Sequence, residues 1–168
     1  MYRLGHQGIN LVLFSPVLFA FLVAGFPLAG ALGAVVVFTT ASLPDVDTSL
    51  PVIDHRGITH TVWAALAVGV VGGALAWLAA GAFTDLVDAL GLSRAAVAAY
   101  AGGVLSFSVL GHIVGDVLTP MGIAPWYPVS TRSYTLSVCP ADSWLANRLL
   151  FAGGVGATSA AVGMVTVL

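Results

Sequence analysis

The sequence predicts an all-α integral membrane protein, a bundle of about five transmembrane helices that forms a single domain over residues 1–168. Of the 168 residues, 59% are hydrophobic and only 7% are charged, whereas a soluble globular domain has about 25% charged residues. Five apolar runs follow one another, and three of them reach the roughly 20 residues that a helix needs to cross a bilayer. This composition excludes both a soluble globule and a disordered chain.

The apolar runs are 9–26, 28–43, 59–81, 95–118 and 147–168. The first two are short, and Gly25-Phe26-Pro27 between them is typical of a turn. We expect either two brief or tilted spans or one re-entrant hairpin, and both return the chain to its starting side. The start of the chain also has features of a signal peptide. Because another apolar run follows at once, we expect it to be a span.

The arginines predict which end of the bundle faces the cytoplasm. If five segments cross, the beginning of the chain and the loops 44–58 and 119–146 share one side, which we call the N-terminal side. The arginines on this side or at its edge are Arg3, Arg56, Arg132 and Arg148. Only Arg94 lies on the opposite side, so the positive-inside rule places the N-terminal side in the cytoplasm. We therefore expect a multi-pass protein of the cell membrane.

Net charge and cysteine content restrict the remaining possibilities. The net charge is −2 and the chain has no basic run, so we expect no direct nucleic-acid partner. Membrane lipid is the expected partner, and the oligomeric state is left open. The single cysteine, Cys139, excludes an internal disulfide framework. All seven acidic residues are Asp and all five basic residues are Arg, so carboxylate chemistry has to come from Asp.

Histidine and aspartate gather where four predicted segments end on the N-terminal side. His6 precedes the first span; Asp45 and Asp47 follow the second; His55 and His60 stand at the entrance to the third; His112 and Asp116 lie in the last turns of the fourth. His112 and Asp116 are four residues apart and so share a helix face. His55 and His60 are five apart, so we expect His55 in the loop and His60 in the first helical turn.

These residues favour a metal site. Imidazole nitrogen and carboxylate oxygen together suit zinc, manganese or iron. The number of groups exceeds what one tetrahedral ion needs, and two ions that share an Asp are used in phosphoester hydrolysis. Structural roles are the alternative: a hydrogen-bonded histidine at a helix end for His6, a turn residue for Asp45, a helix cap for Asp54, and an intramembrane hydrogen bond for His112 and Asp116. Ionisable groups in membrane spans are costly and usually functional, so we predict a site.

Four blocks of the chain resemble the YdjM family. They are Gly5-His6, Leu43-Pro44-Asp45-Val46-Asp47, His55-Arg56-Gly57-Ile58-Thr59-His60-Thr61 and the run from Gly111-His112 through Asp116 and Thr119-Pro120 to Ile123. The resemblance covers residues 5 to about 136 in matching order. The family is described as LexA-binding, inner-membrane-associated, metal-dependent hydrolases. A more distant similarity is to helical zinc-dependent phospholipase C and P1-type nucleases, which favours a phosphoester substrate, and a phospholipid given the location.

The resemblance implies a membrane-bound hydrolase with one or two divalent ions, zinc first and manganese or iron next. The expected ligands are His6, Asp47, His60, His112 and Asp116. We expect Asp45 or His55 to act as the general base. Arg56 and Arg132 flank the cluster, and we expect them to bind the substrate phosphate or headgroup and one of them to stabilise the charge of the reacting ester. The positive-inside rule explains these two arginines equally well.

Two other functions are compatible with the sequence. In a metal-ion or proton transporter, the same His/Asp cluster would relay ions, but such a relay needs ionisable groups across the whole bilayer. The predicted midspan segments have none. In a noncatalytic membrane anchor, the loop 121–146 would bind a partner, and His112 and Asp116 would be dispensable.

Overall fold

The computed structural model describes residues 1–49, 56–89 and 91–167. Over these residues the chain is helical and contains no strand. The α-helices are α1 (Arg3–Val23), α2 (Pro27–Thr39), α3 (Val62–Ala82), α4 (Thr84–Ala89), α5 (Arg94–Val117) and α6 (Trp144–Val165), and two 3₁₀ helices cover Pro44–Ser49 and Ile58–His60. Five segments are long and apolar enough to cross a membrane, the second counted as Pro27–Ser49. The predicted all-α membrane bundle is confirmed.

Three boundaries differ from the expectation. Helix α1 begins at Arg3, well before the apolar run, so His6 lies inside the helix and not ahead of it. His60 ends the 3₁₀ helix Ile58–His60 and is not part of α3. The predicted loop 82–94 contains the short helix α4. Hydropathy does not indicate any of these three boundaries, because each of them lies among polar residues.

Local signals explain where the helices begin. The hydroxyls of Thr61, Ser93 and Ser143 accept hydrogen bonds from backbone N–H groups in the first turns of α3, α5 and α6, as N-cap residues do. Pro27 occupies the first turn of α2, where its missing N–H costs nothing. Gly25 before it has a φ of +82°, a conformation that glycine adopts without strain.

The helices pack as two close pairs, α1 with α6 and α3 with α5, while α1, α2 and α5 also contact one another. The α3–α5 contact depends on glycine. A Cβ at Gly102 would lie 2.6 Å from the carbonyl oxygen of Gly69, so the two backbones meet with no room for a side chain. Small residues let membrane helices approach closely in this way.

Apolar side chains occupy both the inside and the outside of the bundle. A buried cluster in its middle contains Phe14, Leu18, Val37, Val104 and Ala161. Large apolar side chains also point outward along α3, where Val70 is 72% exposed. Such a surface is unfavourable in water and is the one that a lipid-facing helix presents.

The chain between α5 and α6 folds back over the N-terminal side. Ile123 and Tyr134 pair through two backbone hydrogen bonds of 3.1 and 2.8 Å. The carbonyl of Pro125 accepts a 2.9 Å hydrogen bond from the N–H of Val62, at the start of α3. This segment therefore joins the ends of α3 and α5 where the predicted site lies.

Candidate metal centre

Four chain segments bring histidine and aspartate together at one end of the bundle. His6 comes from α1, Asp45 and Asp47 from the 3₁₀ helix after α2, His60 from the 3₁₀ helix before α3, and His112 and Asp116 from the end of α5. Three of the histidines are completely buried, and Asp47 and Asp116 are almost so. Asp45 is the most accessible of these residues, with 27% of its side chain exposed to solvent.

Three atoms at the centre form a nearly equilateral triangle. His60 Nε2 lies 3.1 Å from His112 Nε2 and 3.5 Å from Asp116 Oδ2, and His112 Nε2 lies 3.4 Å from the same Oδ2. A tetrahedral ion with bonds of about 2.0–2.1 Å to nitrogen or oxygen separates its ligand atoms by about 3.3–3.4 Å. The triangle therefore has the size of one face of such a coordination shell.

The hydrogen bonds behind the rings determine which nitrogens face the centre as acceptors. His112 Nδ1 lies 2.8 Å from the carbonyl oxygen of Ala41, which only accepts, so Nδ1 has the proton. His60 Nδ1 lies 3.2 Å from Asp47 Oδ2 and 3.0 Å from Thr59 Oγ1, and the nearby carboxylate favours a proton on Nδ1. Both Nε2 atoms then present lone pairs to Asp116 Oδ2, which has no hydrogen-bond partner among the described residues. A cation satisfies all three acceptors at once.

Asp47 lies behind His60 and not at the centre. Its Oδ2 accepts hydrogen bonds from the Thr59 hydroxyl at 2.7 Å and from the backbone N–H of Arg56 at 3.1 Å. The same oxygen faces Nδ1 of His60. Asp47 thus joins the cluster as predicted, but in the position from which a carboxylate orients a metal-binding imidazole.

Arg56 is tied to the other central carboxylate. Its Nη2 donates to Asp116 Oδ1 at 2.9 Å, and its Nη1 donates to Thr119 Oγ1 and to the carbonyl oxygen of Gly122 at 3.1 and 3.0 Å. The α-amino group of Met1 lies 3.4 Å from the same Oδ1. The guanidinium is therefore held by the protein itself, and it leaves Oδ2 to face the imidazoles.

His6 is stacked on His112. The two ring centroids are 3.7 Å apart and the planes differ by 11°. His6 Nε2 lies 3.6 Å from Asp116 Oδ1, and neither ring nitrogen has a hydrogen-bond partner among the described residues. Gly115 makes room for the ring, because a Cβ there would lie 2.8 Å from His6 Nδ1.

Asp45 is the group at the centre that solvent reaches. Its Oδ1 lies 3.4 Å from His60 Nε2 and 3.5 Å from His112 Nε2. It is therefore next to the same two nitrogens that form the triangle.

One predicted site residue lies apart from this cluster, and another falls outside the described residues. Arg132 is exposed, and its guanidinium lies over the ring of Tyr134 at 5.3 Å. His55 lies outside the described residues, as does Asp54. Their predicted roles remain predictions.

Sequence reasoning missed several residues that shape the site. Thr59 and the Ala41 carbonyl orient the two imidazoles, Thr119 holds Arg56, and Gly115 admits His6. Gly115 could have been found from the sequence, because it directly precedes Asp116 and lies four residues after Gly111 on the same helix. A backbone carbonyl such as that of Ala41 has no sequence signature.

Comparison with known families identifies the chain. Residues 13–168 match the family described as YdjM inner membrane protein. The chain belongs to the YdjM family. The match includes Asp45, His60, His112 and Asp116, whereas His6 precedes it. Comparisons with curated proteins and with solved structures found no significant match.

Proposed function

We propose that this YdjM protein is a membrane-bound, metal-dependent hydrolase that acts on a phosphoester, with phospholipids as the substrate class. The observation that supports it best is the triangle of buried atoms that can ligate a metal, His60 Nε2, His112 Nε2 and Asp116 Oδ2, spaced 3.1–3.5 Å apart. Imidazole and carboxylate are the ligands that zinc and other transition metals take in hydrolases.

His60, His112 and Asp116 would hold the ion. Three protein ligands with an open position are typical of catalytic sites, whereas structural zinc sites are closed by four. When bound, a divalent ion polarises the ester and lowers the pKa of water to about 7. Asp45 lies at the open side of the triangle, so its carboxylate is placed to accept the proton of the attacking water.

Arg56 and Asp47 act on the ligands in this proposal. Because the guanidinium of Arg56 already donates to Asp116, Thr119 and Gly122, its contacts favour a positioning role over binding of the substrate phosphate. Asp47 orients His60 through Nδ1. The cation that binds the substrate phosphate then comes from outside the cluster, and Arg132 is the predicted residue.

The location of the site favours a lipid substrate. Trp63 and Trp126 pack edge to face with centroids 6.3 Å apart near the start of α3, and the guanidinium of Arg148 lies 4.0 Å over the ring of Trp144. Aromatic residues of this kind collect at the depth of lipid headgroups. The phosphoester of a phospholipid lies at the same depth. We also propose that this N-terminal side faces the cytoplasm, since four of the five arginines lie there.

Packing below the site supports hydrolysis over transport. One to two turns deeper, the cluster is followed by Asn10 and Ser108 and then by Phe14, Val37 and Val104, which are at most 7% exposed. An ion or proton path across the bilayer needs polar groups throughout its length. In the described part of the chain, the apolar cluster interrupts any such path.

Hydrolysis by the purified protein tests the proposal. Zinc- or manganese-loaded protein in detergent is assayed with bis(p-nitrophenyl) phosphate and with vesicles of phosphatidic acid and phosphatidylglycerol. Asp45→Asn is expected to lower the rate about 100-fold or more, while Asp88→Asn, an exposed aspartate in α4, leaves it unchanged. A metal-loaded wild type that hydrolyses none of these esters contradicts the hydrolase proposal.

A further inference from the structure

We infer that the described residues bind a single ion and that His6 lies outside its ligand set. This inference rests on the metal site of the proposed function but concerns its composition. It departs from the sequence prediction, in which His6 is a ligand and two ions are possible.

The two candidate ligand groups compete for one atom. One group is His60, His112 and Asp116, and the other is His6, Asp45 and His112. His112 Nδ1 is occupied by the carbonyl oxygen of Ala41 at 2.8 Å, so only Nε2 is available to both groups. An imidazole nitrogen has one lone pair and binds one ion, so the two groups exclude each other.

A second ion could do without His112 if a carboxylate bridged the two ions. Both oxygens of the central carboxylate, that of Asp116, already have close neighbours. Asp116 Oδ2 belongs to the triangle, and Asp116 Oδ1 accepts a 2.9 Å hydrogen bond from Arg56. The positive charges of Arg56 and of the Met1 amino group, 2.9 and 3.4 Å from Oδ1, disfavour a second cation at this oxygen. Among the described residues, a second ion would be left with His6 and Asp45 alone, too few for a stable site.

The orientation of His6 separates it from the first ion. An imidazole binds a metal along a lone pair that lies in the plane of its ring. The rings of His6 and His112 are nearly parallel, with centroids 3.7 Å apart, so an atom in the plane of one ring lies well out of the plane of the other. An ion bound to His112 is therefore not reached by a lone pair of His6.

The test compares the same substitution at the two stacked rings. Metal content per protein is measured by mass spectrometry for the wild type, His6→Asn and His112→Asn after loading with zinc and removal of the excess. We expect about one equivalent in the wild type and in His6→Asn, and at least a tenfold lower content in His112→Asn. Equal loss in both variants, two equivalents in the wild type, or none at all overturns the inference.

A spectroscopic measurement keeps the test decisive if a variant does not fold. Pulsed electron paramagnetic resonance of the copper-loaded wild type counts the coordinated imidazoles, and we expect two. Three coupled imidazoles, or two ions in the zinc-loaded wild type, would overturn the inference. Hydrolysis is assayed separately: one ion without hydrolysis contradicts the proposed function alone, and two ions with hydrolysis contradict this inference alone.

Discussion

At the scale of single residues, the contacts around each imidazole separate ligands from the residues that orient them. Asp47 and Asp116 are both buried carboxylates next to His60, but one faces Nδ1 and the other Nε2. The sequence predicts that both carboxylates lie near His60. It does not predict which ring nitrogen each carboxylate approaches. Only the rotamer of the ring, fixed by Thr59 and Asp47, decides this.

Asp47→Asn tests the orienting role. The amide keeps the size of the side chain but weakens the hydrogen bond that fixes the His60 tautomer, so zinc affinity should fall about 10- to 100-fold. Competition with a chelator measures this affinity. Asp142→Asn, an exposed aspartate before α6, is the control and should bind zinc as the wild type does. Unchanged affinity in Asp47→Asn would contradict the assignment.

Gly115→Ala tests the fit of His6 against α5. A Cβ there would lie 2.8 Å from His6 Nδ1, so the ring has to move and the protein should lose about 1–3 kcal/mol of stability. Gly103→Ala on the same helix meets nothing within 4 Å and should not be destabilised. Thermal unfolding in detergent compares the two, and equal midpoints would show that the close contact is absent.

At the scale of helices, the ends of the helices determine where the site residues lie. The membrane segments could be predicted from hydropathy because apolar runs of this length have few other stable arrangements. The positions of His6 and His60 could not be predicted in this way, because α1 begins several residues before its apolar run and a 3₁₀ turn precedes α3. Helix ends depend on hydrogen bonds that hydropathy does not report.

Thr61→Ala and Ser93→Ala separate stability from metal binding. Both residues cap the first turn of a helix, α3 and α5 respectively, and loss of the cap alone should cost about 1 kcal/mol in each. Thr61 directly follows His60, whereas Ser93 is at the far end of the bundle. Thr61 is also buried and its hydroxyl donates to the Ile58 carbonyl oxygen at 2.7 Å, so we expect a larger loss of thermal stability in Thr61→Ala, with weaker zinc binding in this variant alone. Equal zinc affinity in the two variants would argue that the cap does not position His60.

At the scale of the whole molecule, the site results from the topology. Odd-numbered crossings start, and even-numbered crossings end, on the N-terminal side, so segments distant in sequence deliver His6, Asp45, His60 and His112 to one depth. This convergence could be predicted from the order of the spans. The role of Arg56 could not, because its partners Asp116 and Gly122 are distant in sequence from it.

The orientation in the membrane can be tested with the single cysteine. Cys139 lies between α5 and α6 on the N-terminal side and is partly exposed. If this side is cytoplasmic, a membrane-impermeant maleimide should label Cys139 only after cells are permeabilised. A Thr84→Cys variant with Cys139→Ser, which has its thiol at the opposite end, should be labelled in intact spheroplasts. The reverse pattern would place the site outside the cytoplasm.

The buried triangle of His60, His112 and Asp116 is proposed to bind a transition metal, and every other role in the site depends on that ion. The most direct test is the metal content of the detergent-purified protein, measured for the wild type, His60→Asn and the isosteric Asp116→Asn. We predict about one equivalent of a transition metal in the wild type and its loss in both variants. A wild type that contains no metal and takes up none on titration would contradict the claim.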